Sequence, residues 1–317
     1  MIIKNLKIFL QNIRKSSLII TTLLETLTQF NIILIQELPE SEIRKFLSTL
    51  CSEGKPLMGT SHHPNWISYA RTPSVDNDFP RVIAYVNICL SPFCFLLHTD
   101  IINHRDIGLI SFFNNNVCYY ILNVYSDSSH TALKYLKDTE VNIDNAILMT
   151  GDFNIRDSLW DPSFPFHSSI SDNLIIIADS FDLALSNPTN PCLTRYSDIA
   201  GESNSVIDLM FLHYGLLELD HHSILPESRL SLDHAPLLID ITISEEIIQM
   251  LKLTLAPKSD QETTFIQDTI SNLKRLDTSN IKDINKLEQV VNQLGIIIDQ
   301  AWIKNAKKLK ISKHSKQ

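Results

Sequence analysis

The chain has 317 residues, 44% of them hydrophobic, enough for one large core plus an appendage, which excludes disorder of the whole. A formal charge of −9 excludes a protein that grips nucleic acid through a broad basic surface. It leaves room for an enzyme that meets phosphate locally through a divalent cation.

The first strand is expected where Leu6, Ile8 and Leu10 alternate with Lys7, Phe9 and Gln11, ending at Gln11-Asn12-Ile13-Arg14-Lys15-Ser16. Leu18, Ile19, Thr22, Leu23, Thr26 and Leu27 then recur at helical spacing behind an N-cap at Ser16 or Ser17. Asn31-Ile32-Ile33-Leu34-Ile35 is continuously apolar, as in a strand buried on both faces, and delivers Gln36-Glu37 to its end. Pro39 breaks the chain before a helix over 41–47. The stretch 18–35 is interrupted by Thr21, Thr22, Glu25 and Asn31, which argues against a membrane span. The start, Met1 to Lys7, lacks a signal-peptide layout.

From about residue 55 to 125 the texture is that of a meander, with strands expected at 66–70, 81–86, 93–97, 107–112 and 117–125. A helix over 132–137 precedes the apolar strand Ala146-Ile147-Leu148-Met149, which runs into Thr150-Gly151-Asp152-Phe153-Asn154. A helix is expected over 174–185, and strands over 192–196, 206–212 and 236–241. Beyond about residue 243 strand signals vanish, and helices are expected over 265–276 and 284–302 before a lysine-rich end. The layout is one sandwich domain, 1–242, and a helical, linker-like tail, 243–317.

Seven glycines, with no Gly-x-Gly-x-x-Gly and no Walker loop, remove the usual nucleotide cradles. The five cysteines, Cys51, Cys89, Cys94, Cys118 and Cys192, are scattered and odd in number; most sit in apolar runs, so buried free thiols in a reducing compartment are expected. His62-His63 and His221-His222 read as solvated loop residues, and Trp160 as packing under a loop.

Several strand ends carry polar groups that a plain core does not require: Asn12, Gln36-Glu37, Asp152 with Asn154, and Asp233-His234. If the strand pattern continues past Gly151, Asp152 and Asn154 point to the same side. Asp208 sits inside an otherwise apolar strand, where a carboxylate needs a partner, and His234 before the last strand is placed to supply it. Each position has a plainer reading. Asn12 could cap the following helix, Glu37 could be a helix N-terminal acid, Tyr125 a core tyrosine, and Asp208 with His234 a structural pair.

Taken together, Asn12, Gln36-Glu37, Asn123-Val124-Tyr125, Gly151-Asp152-Phe153-Asn154, Ser205-Val206-Ile207-Asp208 and Asp233-His234 occur in an order that resembles the endonuclease/exonuclease/phosphatase superfamily. Arg81 through Val86, the run from Gly151 to Trp160-Asp161-Pro162, and Cys192-Leu193-Thr194-Arg195 look most like the apurinic-endonuclease-type endonuclease domain of LINE-type (non-LTR) retrotransposons, particularly fungal ones. The resemblance spans roughly residues 5 to 242. It implies an α+β fold, a DNase I-like four-layer α/β/β/α sandwich of two packed mixed sheets flanked by helices, with a C-terminal helical appendage resembling the linker before a reverse transcriptase.

That resemblance implies a Mg²⁺ site, with Mn²⁺ as a substitute, at Glu37 with Asn12 and Asp233 nearby. It implies that Asp152 activates water, that Asn154 holds the water or the phosphorane, and that His234, oriented by Asp208, donates to a phosphate oxygen. Tyr125 is expected near the phosphate or leaving group, and Thr194 and Ser205 at a DNA-facing rim. The implied reaction is a nick in double-stranded DNA leaving a 3′-hydroxyl. The implied partners are a reverse transcriptase and the element RNA, with synthesis in the cytoplasm, action in the nucleus and no membrane. One departure stands out: Leu232 occupies the place before Asp-His where the family has Ser or Thr, with Ser231 one residue earlier. A phosphatase or phosphodiesterase of the same fold, and a catalytically decayed copy, are the alternatives.

Overall fold

The computed structural model describes residues 3–49, 57–60, 63–73, 78–115, 117–139, 141, 143–199, 201–230, 232–243, 253–254, 259–276, 284–305 and 307–308. The chain divides into two compact units, Met1–Ile243 and Ser244–Gln317.

In the first unit, strands β1 (Asn5–Asn12) and β2 (Ile32–Gln36) pair in parallel, linked by helix α1 (Ser17–Thr26). Ser16 takes the N-cap position of α1 in an extended conformation, without a capping bond from its side chain. Helix α2 (Glu40–Thr49) leads to β3 (Leu57–Thr60), β4 (Trp66–Ala70) and β5 (Val82–Asn87). With β12 (Asp220–Ile224) and β13 (Leu237–Thr242) they form a sheet in the order β12-β13-β1-β2-β5-β4-β3. The second sheet runs β10-β11-β9-β8-β7-β6, built from β6 (Leu96–Leu97), β7 (Ile107–Asn114), β8 (Val117–Tyr125), β9 (Ala146–Asp152), β10 (Leu183–Leu185) and β11 (Asp208–His213). Both sheets are mixed: β1–β2 and β8–β9 are parallel and their other pairings antiparallel.

The layering follows from side-chain alternation. On the outer face of the first sheet, Phe9, Ile13, Ile33 and Ile35 cluster with Ile20, Leu23 and Leu24 of α1. On the outer face of the second, Leu122, Val124, Met149, Leu209 and Phe211 cluster with helices α3 (Thr131–Asp138) and α4 (Ser169–Asp179) through Leu133, Leu136, Leu174 and Ile177. The intervening positions, Leu6, Ile8, Leu10, Ile32, Leu34, Ile121 and Leu148, are fully buried and turn inward between the sheets. The architecture is the four-layer α/β/β/α sandwich.

Several local expectations change. The helix expected over 174–185 starts earlier, because Ser168 caps it by accepting from the Ser171 amide, and it stops at Asp179. Asp182 then turns left-handed (φ 58°) and frees Leu183–Leu185 to pair with β11. Residues 192–196 form no strand; Arg195 makes only isolated bridges, to Ser205 and to His234. Phe93 closes a 3-10 turn instead of opening a strand. The polar run 220–224 is a strand held by β13, and it turns His222 inward to 2% exposure while His221 stays exposed. Cys89 and Cys94 are exposed and Cys118 and Cys192 half-buried, all four free, so the expectation of buried thiols does not hold for them; Cys51 lies outside the described residues. Trp160 is buried, its indole N–H donating to the Ile155 carbonyl at 3.1 Å.

The second unit contains helix α5 (Asp260–Leu273), capped by Ser259, and helix α6 (Ile284–Asn305). Phe265 meets Trp302 edge-on at 5.8 Å, and Lys304 and Asn305 both reach Asp268. A two-residue ladder joins Leu253–Thr254 to Lys307–Lys308, where no strand is expected. The lysines beyond 308, and His62 and Ser231, lie outside the described residues. Among the described residues no helix is long and apolar enough to cross a membrane.

Candidate active site

The alternation that buries Leu10 and Leu34 between the sheets also aims Asn12 and Gln36, next along the same strands, into that interior. On the facing sheet Asn123, Tyr125, Thr150, Asp152 and Asp208 occupy the corresponding positions. Asn123 and Gln36 join the sheets directly, with the Gln36 amide donating to Asn123 Oδ1 at 2.5 Å. Asn123 Nδ2 in turn donates to the Ile35 and Ile83 carbonyls.

Asp152 is the centre. It pairs across the ladder with Asp208 on one side and Tyr125 on the other. Gly151 makes this close pairing possible: a Cβ there would stand 1.8 Å from the Val124 carbonyl oxygen, and its φ of 152° disfavours any side chain. Asp152 Oδ2 accepts from Asn12 Nδ2 at 2.9 Å and lies 3.7 Å from His234 Nε2. His234 Nδ1 lies 2.9 Å from Asp208 Oδ2 and 3.1 Å from Oδ1. An Asp–His–Asp chain thus runs through the floor, all of it under 5% exposed.

Asn154 joins by a different route from the one strand alternation suggests. The strand ends at Asp152, and Asn154 is left-handed (φ 51°). Its backbone N–H turns back onto Asp152 Oδ1 at 2.9 Å, and its amide donates to the Ser126 carbonyl at 2.8 Å and lies 3.5 Å from Asp152 Oδ2. Glu37 is also left-handed (φ 51°), a conformation that is strained for a glutamate and is found where surrounding contacts impose it. Here Lys15 N–H donates to the Glu37 carbonyl, and Asn12 Nδ2 donates to Glu37 Oε1 at 2.9 Å.

Electrostatics separate the groups. Burial lowers the His234 imidazolium, but the charge and hydrogen bond of Asp208, with Asp152 and Asp233 behind, raise it to about 10. Burial pushes the Asp152 carboxyl up to about 7; His234 opposes this and Asp208 reinforces it. The Tyr125 phenol is driven well upward by burial and by the Glu37 and Asp152 charges, so it is a proton donor at neutral pH.

Ligand atoms of Asp152, Asp208 and His234 lie within 4.8 Å of one another, a spacing that fits a metal ion. A protonated histidine is a poor ligand, however, and both oxygens of Asp208 are engaged with it. The carboxylates of Glu37 and Asp152, sharing the Asn12 amide, are the oxygen donors with spare charge. That donor set suits a hard cation such as Mg²⁺.

Of the other expected residues, Asp233 turns Oδ2 toward Arg14 (3.5 Å) and Arg195 (3.9 Å), so its nearest charges are arginines. Its Oδ1 is buried without a hydrogen-bond partner among the described residues. Thr194 and Ser205 are not at a rim. Thr194 is fully buried, and its hydroxyl accepts from the Ile207 and Asp208 amides at 2.9 and 3.0 Å, clamping the entry to β11. Ser205 is 1% exposed, with Oγ enclosed and lacking a partner among the described residues. Leu232 is half-buried against the core under α1. Arg14 and Arg195 as a pair escaped the sequence reading; the signal was an arginine two residues past Asn12 and another one past Thr194.

Residues 119–238, which carry Tyr125, Asp152, Asn154, Asp208 and His234, match the family model described as endonuclease-reverse transcriptase. No curated protein matches the chain. Among solved structures, the endonuclease domain of TRAS1, a telomere-specific non-LTR retrotransposon, is similar with a TM-score of 0.57 at 15% identity, over 76% of this chain and 100% of that one. The AP endonuclease LMAP from Leishmania major is similar with a TM-score of 0.54 at 10% identity, over 76% of this chain and 89% of that one. The fold is therefore the DNase I-like sandwich of these endonucleases.

Proposed function

We propose that this chain is a Mg²⁺-dependent endonuclease that nicks double-stranded DNA with a 3′-hydroxyl product, priming reverse transcription by a polymerase of the same element on its RNA template. The observation that carries the reading is the shared Asp152 Oδ2, held between Asn12 Nδ2 at 2.9 Å and His234 Nε2 at 3.7 Å, with Asp208 behind the histidine. The endonuclease-reverse transcriptase family match over 119–238 supports the nuclease class.

Glu37 and Asp152, with Asn12, would hold the cation, which supplies charge neutralisation for the phosphodiester and depresses the Asp152 carboxyl from its metal-free value. Asp152 takes a proton from the attacking water. Asn154, fixed against Asp152 and Ser126, positions that water. His234 donates from Nε2 to a non-bridging oxygen as negative charge builds, while Asp208 fixes the tautomer and balances the charge. The phosphorus–O3′ bond breaks, and the Tyr125 hydroxyl is a protonated donor beside that departure. Arg14 (52% exposed) and Arg195 (28%) beside Asp233 offer cations for a continuous phosphate backbone. Synthesis in the cytoplasm and action in the nucleus follow from this reading.

Supercoiled plasmid with Mg²⁺ should be relaxed by the wild type, with ends that a polymerase extends directly. Asp152→Ala and His234→Ala should each lose about a thousandfold in rate. Equal nicking by all three proteins, or turnover of a soluble phosphate ester with none of DNA, would overturn the proposal.

A further inference from the structure

Burial, and after it the nearby Glu37 and Asp152 charges, raise the Tyr125 phenol, and a place among these acids requires its ring to be held at one angle. That task falls to a side chain outside the catalytic series. The Arg81 guanidinium stands over the Tyr125 ring at 4.7 Å from its centroid. It is held there on its far edges: Nε and Nη2 both bond the Asp106 carboxylate, and Nη2 also reaches Asp127 Oδ2 at 3.0 Å. Asp106 is fully buried, and its carbonyl accepts from the Tyr125 N–H at 2.9 Å. Thr131 Oγ1 contacts both acids, closing the cage. The Arg81 backbone is anchored separately, its N–H to the Arg105 carbonyl at 2.7 Å and its carbonyl to the Leu38 N–H at 3.0 Å, next to the strained Glu37. One residue thus holds the Tyr125 ring through its side chain and the chain after Glu37 through its backbone.

Resting on the nuclease reading, we infer that Arg81 is a positioning residue that presses the Tyr125 ring into place against Glu37 and so sets where the phenol hydroxyl meets the reacting phosphodiester. A planar, bidentate cation is required: it must bond Asp106 along one edge and stack on an aromatic face at once, which an ammonium cannot do. A lysine keeps a positive charge for the buried Asp106 while losing the stack, so Arg81→Lys isolates orientation from charge burial.

The test is a double-mutant cycle on nicking. Arg81→Lys should lower kcat by about thirtyfold with KM and the thermal midpoint little changed, because a misplaced donor costs the transition state and not binding. In a Tyr125→Phe background the same substitution should change kcat by less than about twofold, since the group it positions is already gone. A merely structural role predicts equal losses in both backgrounds, and that additivity would overturn the inference, as would an effect on KM alone. Crystal structures of the wild type and of Arg81→Lys decide the matter without activity. The Tyr125 hydroxyl should leave Glu37 in the variant, and a Tyr125 that stays in place overturns the inference. A wild type that fails to nick DNA defeats the functional reading and leaves this structural comparison to stand or fall by itself.

Discussion

On the floor of the site Asp152, Asp208 and His234 are almost sealed from solvent and stand side by side; at the mouth Glu37, Asn154 and Arg14 are partly or fully exposed and sit on left-handed turns. The floor is strand-built: Asp152 and Asp208 are direct ladder partners, so their spacing is a property of sheet pairing. The mouth is loop-built, and its geometry depends on hydrogen bonds to main-chain groups of other segments. Under the proposed function the contrast separates two tasks. Proton placement needs rigid, dry, mutually tuned groups, while exchange of water, ion and DNA needs groups that solvent can reach.

The comparison can be broken first at the floor. Gly151→Ala would force a methyl into the Val124 carbonyl and should cost about 4 kcal/mol or abolish folding, read as the drop in denaturant midpoint. A variant as stable as the parent would mean that β8 and β9 are not in this register.

A subtler break removes the clamp under Asp208. Thr194→Val leaves two buried amides, Ile207 and Asp208, without an acceptor and should cost about 2 kcal/mol, with about a tenfold loss in kcat as Asp208 drifts from His234. If the variant instead raised KM for DNA at unchanged stability, Thr194 would face the substrate after all.

The floor should also titrate. Both Asp152 (3.8 raised to about 7) and His234 (6.5 raised to about 10) bind protons more tightly folded than unfolded. Stability from such groups is complete below the unfolded pKa and lost as pH rises through the folded one. The metal-free protein should therefore lose stability between about pH 4 and 7 through Asp152 and between about 6.5 and 10 through His234. Chemical melts in EDTA at pH 5, 7 and 9 check this, and a stability that rises from pH 7 to 9 would contradict the Asp–His–Asp assignment. Mg²⁺ should displace a proton below pH 7, making its affinity climb with pH in that range.

The smallest effect is expected at the mouth. Arg14→Gln should raise KM for DNA by about tenfold, reduce the salt slope of binding by about 1 and leave kcat alone. An unchanged salt slope would show that Arg14 serves only Asp233 and Asp198.

Much of the floor was readable from the residues. Asp208 in an apolar strand demanded a partner and His234 supplied it, and the apolar run of β9 led straight into Asp152. At the mouth only Glu37, delivered by the end of β2, was readable. Asn154 converges on Asp152 through a turn rather than strand alternation, Thr194 and Ser205 point inward, and Asp233 goes to two arginines. His222 looked like solvated loop because a polar pentapeptide has no strand signature of its own; pairing with β13 makes it one.

The sequence by itself determined which chemistry is available and on which strand ends it rides, because a two-residue alternation is a local property that apolar neighbours betray. Only the tertiary structure decided which oxygen meets which nitrogen. Side chains at a strand end take their direction from hydrogen bonds to segments tens to hundreds of residues away, as Asn12 does with Asp152 and Gln11 with the His234 carbonyl.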